Sequence, residues 1–404
     1  MNNQQQCELT ILMPCLNEAE TVAGCIAEAR RFIAEQGICA EVLIADNGSC
    51  DGSRELAVAA GARVIQVQEK GYGAALSAGI EAALGKYVIM ADADGSYDFY
   101  GLSPILNALR NGSQLVMGNR FKGGIASGAM PLLHRYLGNP VLSFVGRLFY
   151  GAPIGDFHCG LRGFQREPVL ALGLLAPGME FASEMVVKSV INGLLVTEVP
   201  VKLRPDGRSR APHLRTWRDG WRHLRLLMLF SPRWLFLIPG LLLLLVGGTL
   251  MLWLLFAPLS FQDIKLGVHS MIYSGAAVII GFQMLLFAVF TRMLGMRYGW
   301  LPHSTVYERV FAFLALERMV LLALLMLLGG GALSMAAVSE WAGVAFGDLN
   351  PEEMMRRVVP AVTLILLGSA IFLSAFFMEA LRMEAQRLPL LLRKTQSASH
   401  VVER

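Results

Sequence analysis

Several signatures are missing from this chain, and each absence removes a class of function. No two of the six cysteines (Cys7, Cys15, Cys25, Cys39, Cys50 and Cys159) form a C-x-x-C pair, which argues against a zinc site and for reduced, mostly packing thiols. His158 and Cys159 are neighbours, but adjacent side chains on a strand or turn point apart and make a poor metal pair. There is no G-x-x-x-x-G-K-[ST] and no G-x-G-x-x-G after the first strand-like run, so the P-loop and dinucleotide fingerprints are absent. A formal net charge of only +4 over 404 residues gives no reason to expect nucleic acid as a partner. The opening "MNNQQQCELT" is polar, without the basic and apolar regions of a secretory leader, so no cleaved signal is expected. Charge is also scarce beyond about residue 235, where long apolar runs take over.

What is present fits two halves. Hydrophobic residues make up 54% of the chain and the mean hydropathy is +0.50, high for a soluble protein. Four segments, 234–257, 268–291, 314–338 and 358–381, each have about the ~20 apolar residues a bilayer crossing needs. Arg292, Arg297 and Arg309 follow the second, and Arg382, Arg387, Arg393 and Lys394 follow the fourth. The loop after the third carries Glu340, Asp348, Glu352 and Glu353, with Arg356 and Arg357 as the opposing signal. The positive-inside rule then predicts both termini in the cytoplasm. Ahead of the first span, Arg215, Arg218, Arg222 and Arg225 recur at helical spacing beside Trp217, Trp221, Leu224 and Met228. That pattern predicts an amphipathic helix lying on an anionic membrane face.

The first half alternates strand-like runs (9–14, 41–46, 62–67, 87–92, 114–119) with helical stretches (18–36, 51–60, 73–84). This predicts a mostly parallel α/β sheet, whose ligands sit beyond the carboxyl ends of the strands. Those ends are polar in an informative way. They carry Pro14, Asn17 and Glu18; Asp46, Asn47, Gly48 and Ser49; Asp92, Ala93 and Asp94; and Asn119 with Arg120. The stretch Lys70-Gly71-Tyr72-Gly73 could offer backbone N–H groups to a ligand, and close helix–sheet packing explains its glycines equally well. Two carboxylates one residue apart repel unless one is protonated or a cation joins them. A hard divalent ion suits them, Mg²⁺ or Mn²⁺, with substrate phosphates completing its shell.

Taken together, these motifs resemble family 2 glycosyltransferases, in particular the dolichyl- or polyprenyl-phosphate sugar synthases, over about residues 8–235. The resemblance implies a GT-A (Rossmann-like) nucleotide-sugar-binding domain followed here by a four-span helical membrane domain. By position, Pro14, Asn17, Glu18, Asp46, Asn47, Gly48, Ser49, Lys70, Gly71, Gly73, Asp92 and Ala93 would line the nucleotide-sugar site. Asp92 and Asp94 would hold the metal, with Ser96 standing where many relatives have Gln. Asp92, Asp94, Arg120 and Asp156 form the expected catalytic set. Arg162 from "DFHCGLRGF", Glu180 and Glu184 from "GMEFASEM", and Lys202, Arg204, Arg208 and Arg210 are the expected acceptor and phosphate contacts.

The implied reaction is inverting transfer of one hexose from a nucleotide-sugar to a polyprenyl phosphate with release of a nucleoside diphosphate, UDP-glucose being the favoured donor and GDP-mannose the next. The expected layout is a cytoplasmic catalytic domain over 1–212, an interfacial region over 213–233, a membrane domain over 234–394 and a polar tail over 395–404, in the cell's inner (plasma) membrane, with a homo-oligomer left open. Two alternatives stand beside it. A processive polysaccharide synthase would carry Q-x-x-R-W, but Phe230 precedes Arg233-Trp234 where Gln is needed. A non-enzymatic membrane protein would not be expected to keep Asp46, Asp92, Asp94 and Arg120.

Overall fold

The computed structural model describes residues 7–209, 216–261 and 264–402. The chain divides into two compact units, Met1–Ser231 and Pro232–Arg404. In the first, β1 (Leu9–Cys15), β2 (Ala40–Asp46), β3 (Arg63–Gln66), β4 (Tyr87–Met90), β5 (Leu115–Asn119), β6 (Arg162–Gln165) and β7 (Val196–Pro200) form one sheet in the order β3-β2-β1-β4-β6-β5-β7. The first four strands are parallel, whereas β6 runs antiparallel between β4 and β5. β7 runs parallel to β5, so the sheet is mostly parallel, as expected, with β6 as its antiparallel strand.

Alternation along the strands builds the two faces. Ile11, Met13, Val42, Ile44 and Ile89 pack under α1 (Val22–Gln36), which contributes Ile26 and Phe32. Leu12, Leu43, Val88 and Met90 turn the other way, toward Leu76 and Ile80 on a helix spanning Tyr72–Ala82. Burial on both faces explains why β1 and β4 are almost wholly apolar. It also explains why the first charged groups appear at their carboxyl ends. Because β1 leads to β2 on one side and β4 on the other, the chain reverses direction across the sheet at β1, and a crevice opens there. β6 and β7 lie outside the five predicted strands. The segment Arg162–Gln165 has only four residues, and Gly163 sits where a Cβ would meet Ile105, Leu109 and Ile89.

In the second unit, Arg233–Phe256, Val268–Arg297, Leu316–Gly343 and Pro351–Met383 are long and apolar enough to cross a membrane. They coincide with the four predicted spans. Glycines let the backbones approach in pairs. A Cβ on Gly240 would lie 2.9 Å from the Gly281 carbonyl, and one on Gly281 would lie 2.7 Å from the Gly240 carbonyl. Gly330 against Ala361, and Gly368 against Ala323, repeat the device between the third and fourth helices. Small residues at the crossing are how helices associate where lipid removes the hydrophobic drive. The last helix continues to Val402, through the stretch expected to be a polar tail.

Candidate active site

Local chemistry at the end of β1 and β2 shapes the first wall of the crevice. Asn17 adopts φ 58, a left-handed conformation that Asn tolerates better than most residues. Its N–H donates to Ser49 Oγ at 2.8 Å, and its Oδ1 accepts from the Cys50 N–H at 2.9 Å. The strained turn is thus tied to the following strand's loop. Asp46 is 1% exposed and accepts from the N–H groups of Gly48 and Ser49. Asn47 spans to the next segment, donating to the Val67 and Glu69 carbonyls and accepting from the Gly71 N–H at 2.7 Å.

The glycine-rich stretch resolves in favour of packing. The Gly71 N–H is used by Asn47, the Gly73 N–H donates to the Pro177 carbonyl at 2.9 Å, and Lys70 Nζ donates to the Asn47 carbonyl at 2.8 Å. A Cβ on Gly73 would lie 2.1 Å from the Ala176 carbonyl. The expected nucleotide contacts of Lys70, Gly71 and Gly73 are therefore spent inside the protein, because segment 176–178 closes down on them. Tyr72, between the two glycines, is what reaches the site: its side chain lies beside Asp92, and burial with the Asp92 charge pushes its hydroxyl pKa up.

Asp92 and Asp94 stand past the end of β4. Asp94 is 7% exposed and its Oδ1 accepts from the Ser96 N–H at 3.0 Å and the Ser96 hydroxyl at 2.6 Å. Ser96 thus orients Asp94. Asp92 is half-buried, and a Cβ on Gly160 would lie 2.8 Å from its Oδ2. Loss of water pushes the Asp92 carboxyl up, to about 7, and the neighbouring Asp94 charge adds to the shift. Such a pair is settled by a proton on one carboxyl or by a cation beside them.

A cation does sit there, and it comes from the chain. Arg208 Nη2 is 2.8 Å from Asp94 Oδ2 and Nη1 is 3.2 Å from Glu18 Oε1, while Asp206 Oδ2 accepts at 2.9 Å. Arg208 was expected at the acceptor phosphate, and the structure brings it onto the paired carboxylates instead. The donor set (carboxylates plus the Ser96 hydroxyl) is hard oxygen, and a guanidinium already occupies part of it, so the residues fit a divalent ion that brings phosphate ligands of its own. Among the described residues no group of three or more His, Cys, Asp or Glu side chains could by itself hold a metal ion.

Arg120 and Asp156 form a separate group. Arg120 Nε and Nη2 donate to Asp156 at 2.7 and 2.8 Å, and the Arg120 N–H donates to it as well. Glu198, on β7, accepts from the N–H groups of Gly155 and Asp156 and pairs with Lys122. Arg162 is fully buried: its guanidinium donates to the Cys159 and Ala182 carbonyls. Glu184 is 3% exposed, accepts from the Leu175 and Ala176 N–H groups and pairs with Lys188 at 2.8 Å. Both were expected to touch acceptor, and their partners make them struts of the loops they join. Glu180 lies 3.9 Å from Arg222. Arg204 pairs with Asp98 at 2.9 Å and Lys202 is exposed. Arg210, together with Arg215, lies outside the described residues.

Three features escaped the sequence reading. Tyr97 holds the 156–162 loop, its hydroxyl accepting from the Gly160 N–H at 2.9 Å. His158 Nε2 meets Ser183 Oγ at 3.2 Å, which in turn bonds His223 Nδ1 at 2.8 Å, while Cys159 faces Tyr97, the two neighbours diverging as expected. The predicted amphipathic helix, found at Thr216–Leu229 with Trp217 and Trp221 exposed, is accompanied by a second amphipathic helical stretch over 132–150. Leu132, Tyr136, Leu137, Val141 and Phe144 are exposed on it, and Tyr150 donates to the Leu227 carbonyl between the two helices. Its signal, aromatic and aliphatic residues interleaved with His134, Arg135 and Arg147, was legible but falls within a stretch too polar to span.

Both halves of the chain are similar to known proteins. Residues 10–173 match the family Glycosyl transferase family 2, and residues 289–382 match the Glycosyltransferase family 2 C-terminal transmembrane region. The chain is 37% identical over 284 residues to the low-salt glycan biosynthesis hexosyltransferase Agl6 of Haloferax volcanii, covering 70% of this chain and 68% of that one. It is 28% identical to a dolichyl-phosphate hexose transferase of the same organism, over 49% of this chain and 83% of that one. It is also 28% identical to the polyprenol monophosphomannose synthase of Mycolicibacterium smegmatis, over 47% and 75%. Among solved structures, it is similar to glucosyl-3-phosphoglycerate synthase from Mycobacterium tuberculosis in complex with Mn²⁺, UDP and glucosyl-3-phosphoglycerate, at 21% identity and a TM-score of 0.43, over 55% of this chain and 77% of that one.

Proposed function

Because the chain belongs to glycosyltransferase family 2 and carries that family's membrane region, we propose that it transfers one hexose from a nucleotide-sugar to a polyprenyl phosphate, with inversion. The favoured donor is UDP-glucose, with GDP-mannose second. The observation that carries the reading is that one chain joins a mutually repelling carboxylate pair, Asp92 and Asp94, to four helices of bilayer length. The names of the relatives that act on dolichyl or polyprenol carriers support the acceptor class.

Residue roles follow from charge. Asn17, Glu18 and the Asp46–Ser49 turn form the wall that receives the nucleotide, and Pro14 and Ala93 set its depth. Asp92 and Asp94, steadied by Tyr72 and Ser96, would hold Mg²⁺ or Mn²⁺. The ion supplies charge stabilisation to the departing diphosphate. The acceptor monophosphate is already largely dianionic near neutral pH, its second pKa being about 6, so no strong general base is required. An acceptor phosphate oxygen attacks the anomeric carbon in line. That bond forms as the bond from the anomeric carbon to the β-phosphate oxygen breaks, and the electron pair leaves with the nucleoside diphosphate. Arg120, locked by Asp156, and Arg208 stabilise the anionic oxygens. Arg222, which faces Glu180, and the exposed Lys202 serve the approach of the lipid phosphate.

The exposed apolar faces at 132–144 and 217–229 support a bilayer approach, with Arg218 and Arg225 exposed beside the tryptophans. The catalytic unit lies on the cytoplasmic face of the inner membrane in this reading, feeding glycan assembly at the cell envelope. Incubating the purified protein with radiolabelled nucleotide-sugars, undecaprenyl phosphate and Mn²⁺ tests it. A single-sugar, lipid-extractable product is expected; a polymer points to the processive alternative, and unlabelled lipid with every donor rejects the reading.

A further inference from the structure

Segment 203–209 crosses the carboxylate pair as a pinned strap. The Arg204 N–H donates to the Ser96 carbonyl at 2.9 Å and the Gly207 N–H donates to the Asp94 carbonyl at 2.8 Å. The Ser209 N–H donates to Glu20 Oε2 at 2.8 Å. Arg204 pairs with Glu28 and Asp98 on the strap's flank. The base of Arg208 is therefore fixed, while its side chain reaches three acids: Asp94, Glu18 and Asp206. Asp94 Oδ2 is the oxygen the guanidinium takes, and Oδ1 is taken by Ser96.

A divalent ion bound to Asp94 through Oδ2 would stand close to the Arg208 Nη2, which lies 2.8 Å from that same oxygen, and the two cations would repel across it. An ion that arrives with a diphosphate changes the balance, because the phosphate oxygens give the displaced guanidinium a new bidentate partner. Resting on the functional reading above, we propose that Arg208 is a built-in surrogate cation: it holds the carboxylate seat when no donor is bound, disfavours metal alone, and swings from Asp94 to the diphosphate when metal and nucleotide enter together. The pinned strap keeps it within reach throughout. Metal and nucleotide binding are then coupled, and thermodynamic linkage makes the coupling reciprocal. The benefit is chemical, since a metal-loaded but donor-free site would present an open cation to the lipid phosphate and trap the acceptor unproductively.

The test uses the full-length protein in detergent, with Mn²⁺ binding followed by electron paramagnetic resonance, alone and with saturating UDP or GDP. Wild type should bind Mn²⁺ weakly alone and about tenfold or more tighter with the nucleotide. Arg208→Gln should bind Mn²⁺ alone about tenfold tighter than wild type, with the nucleotide enhancement reduced by the same factor. Arg208→Lys, which keeps a cation, should stay near wild type, and Arg208→Met gives the same readout as Gln should that variant unfold. Unchanged or weaker Mn²⁺ affinity in the charge-removed variants overturns the surrogate role and leaves the functional reading standing. No Mn²⁺ uptake by any of these proteins, with or without nucleotide, overturns both.

Discussion

Arg120 and Arg208 both end on an aspartate at the same edge of one sheet, and the two neighbourhoods are built differently. Around Arg120 every partner is itself held. Asp156 is fully buried, its loop is gripped by Glu198 through two N–H groups, and Tyr97 fixes the Gly160 N–H beyond it. Around Arg208 the partners are three carboxylates sharing one guanidinium, and Asp206 is 35% exposed. A buried pair with its lone pairs satisfied is a fixture, since removing one partner strands a charge. An over-subscribed guanidinium at a crevice mouth can be exchanged for another cation. The difference separates what shapes the site from what the site exchanges.

Four measurements would sharpen or break that distinction. The largest effect belongs to the exchanging side: Asp94→Asn should lower kcat/KM for sugar transfer by about 10³-fold or more with an unchanged unfolding curve. Near-normal turnover with metal and donor supplied would remove Asp94 from the catalytic centre. On the fixed side, Asp156→Ala should destabilise the catalytic unit by about 3–5 kcal/mol, because Arg120 is left buried without a counter-charge. Denaturant unfolding reads this directly, and a loss under ~1 kcal/mol would mean that the pair is no fixture.

The third concerns pH. Burial pushes the His223 imidazole down to about 4, opposed by Asp219 and aided by Arg162. Its folded pKa thus lies below the unfolded value of 6.5, so between those values the unfolded chain binds more protons and stability rises with pH. The contribution is whole above pH 6.5 and is lost as pH falls toward about 4, by a total of about 3 kcal/mol. Thermal unfolding of His223→Phe across that window should be flatter than wild type; parallel curves would contradict the assignment. The smallest effect is expected from Arg208→Gln on stability, less than about 1 kcal/mol, in contrast to Asp156→Ala. A loss as large as that of Asp156→Ala would make the two clusters alike.

Legibility of the fold and site follows the range of the interactions involved. The first five strands and helices at Val22–Gln36, Ser53–Ala59 and Tyr72–Ala82 could be read because apolar period and turn residues are local signals. β6 was hidden because its four residues include a buried arginine and a glycine whose place is set by Ile105 and Ile89 from distant segments. Arg162 and Glu184 looked like ligands for the same reason: a charged residue in a motif gives no hint that carbonyls and N–H groups elsewhere will enclose it. Tyr72 gives no local signal, because its flanking glycines point to backbone N–H groups and only the fold brings its side chain beside Asp92.

By itself, the sequence determined that this protein has strand-borne carboxylates in its first half and four bilayer-length helices in its second, since periodicity and run length are properties of neighbouring residues. Tertiary structure decided which charges meet. It set Arg208 on Asp94 across 114 positions of chain and locked Arg120 to Asp156. Short-range pattern fixes where a charged residue sits along an element, but only the folding of distant loops onto one edge chooses its partner, because that choice depends on which desolvated groups would otherwise be left without one.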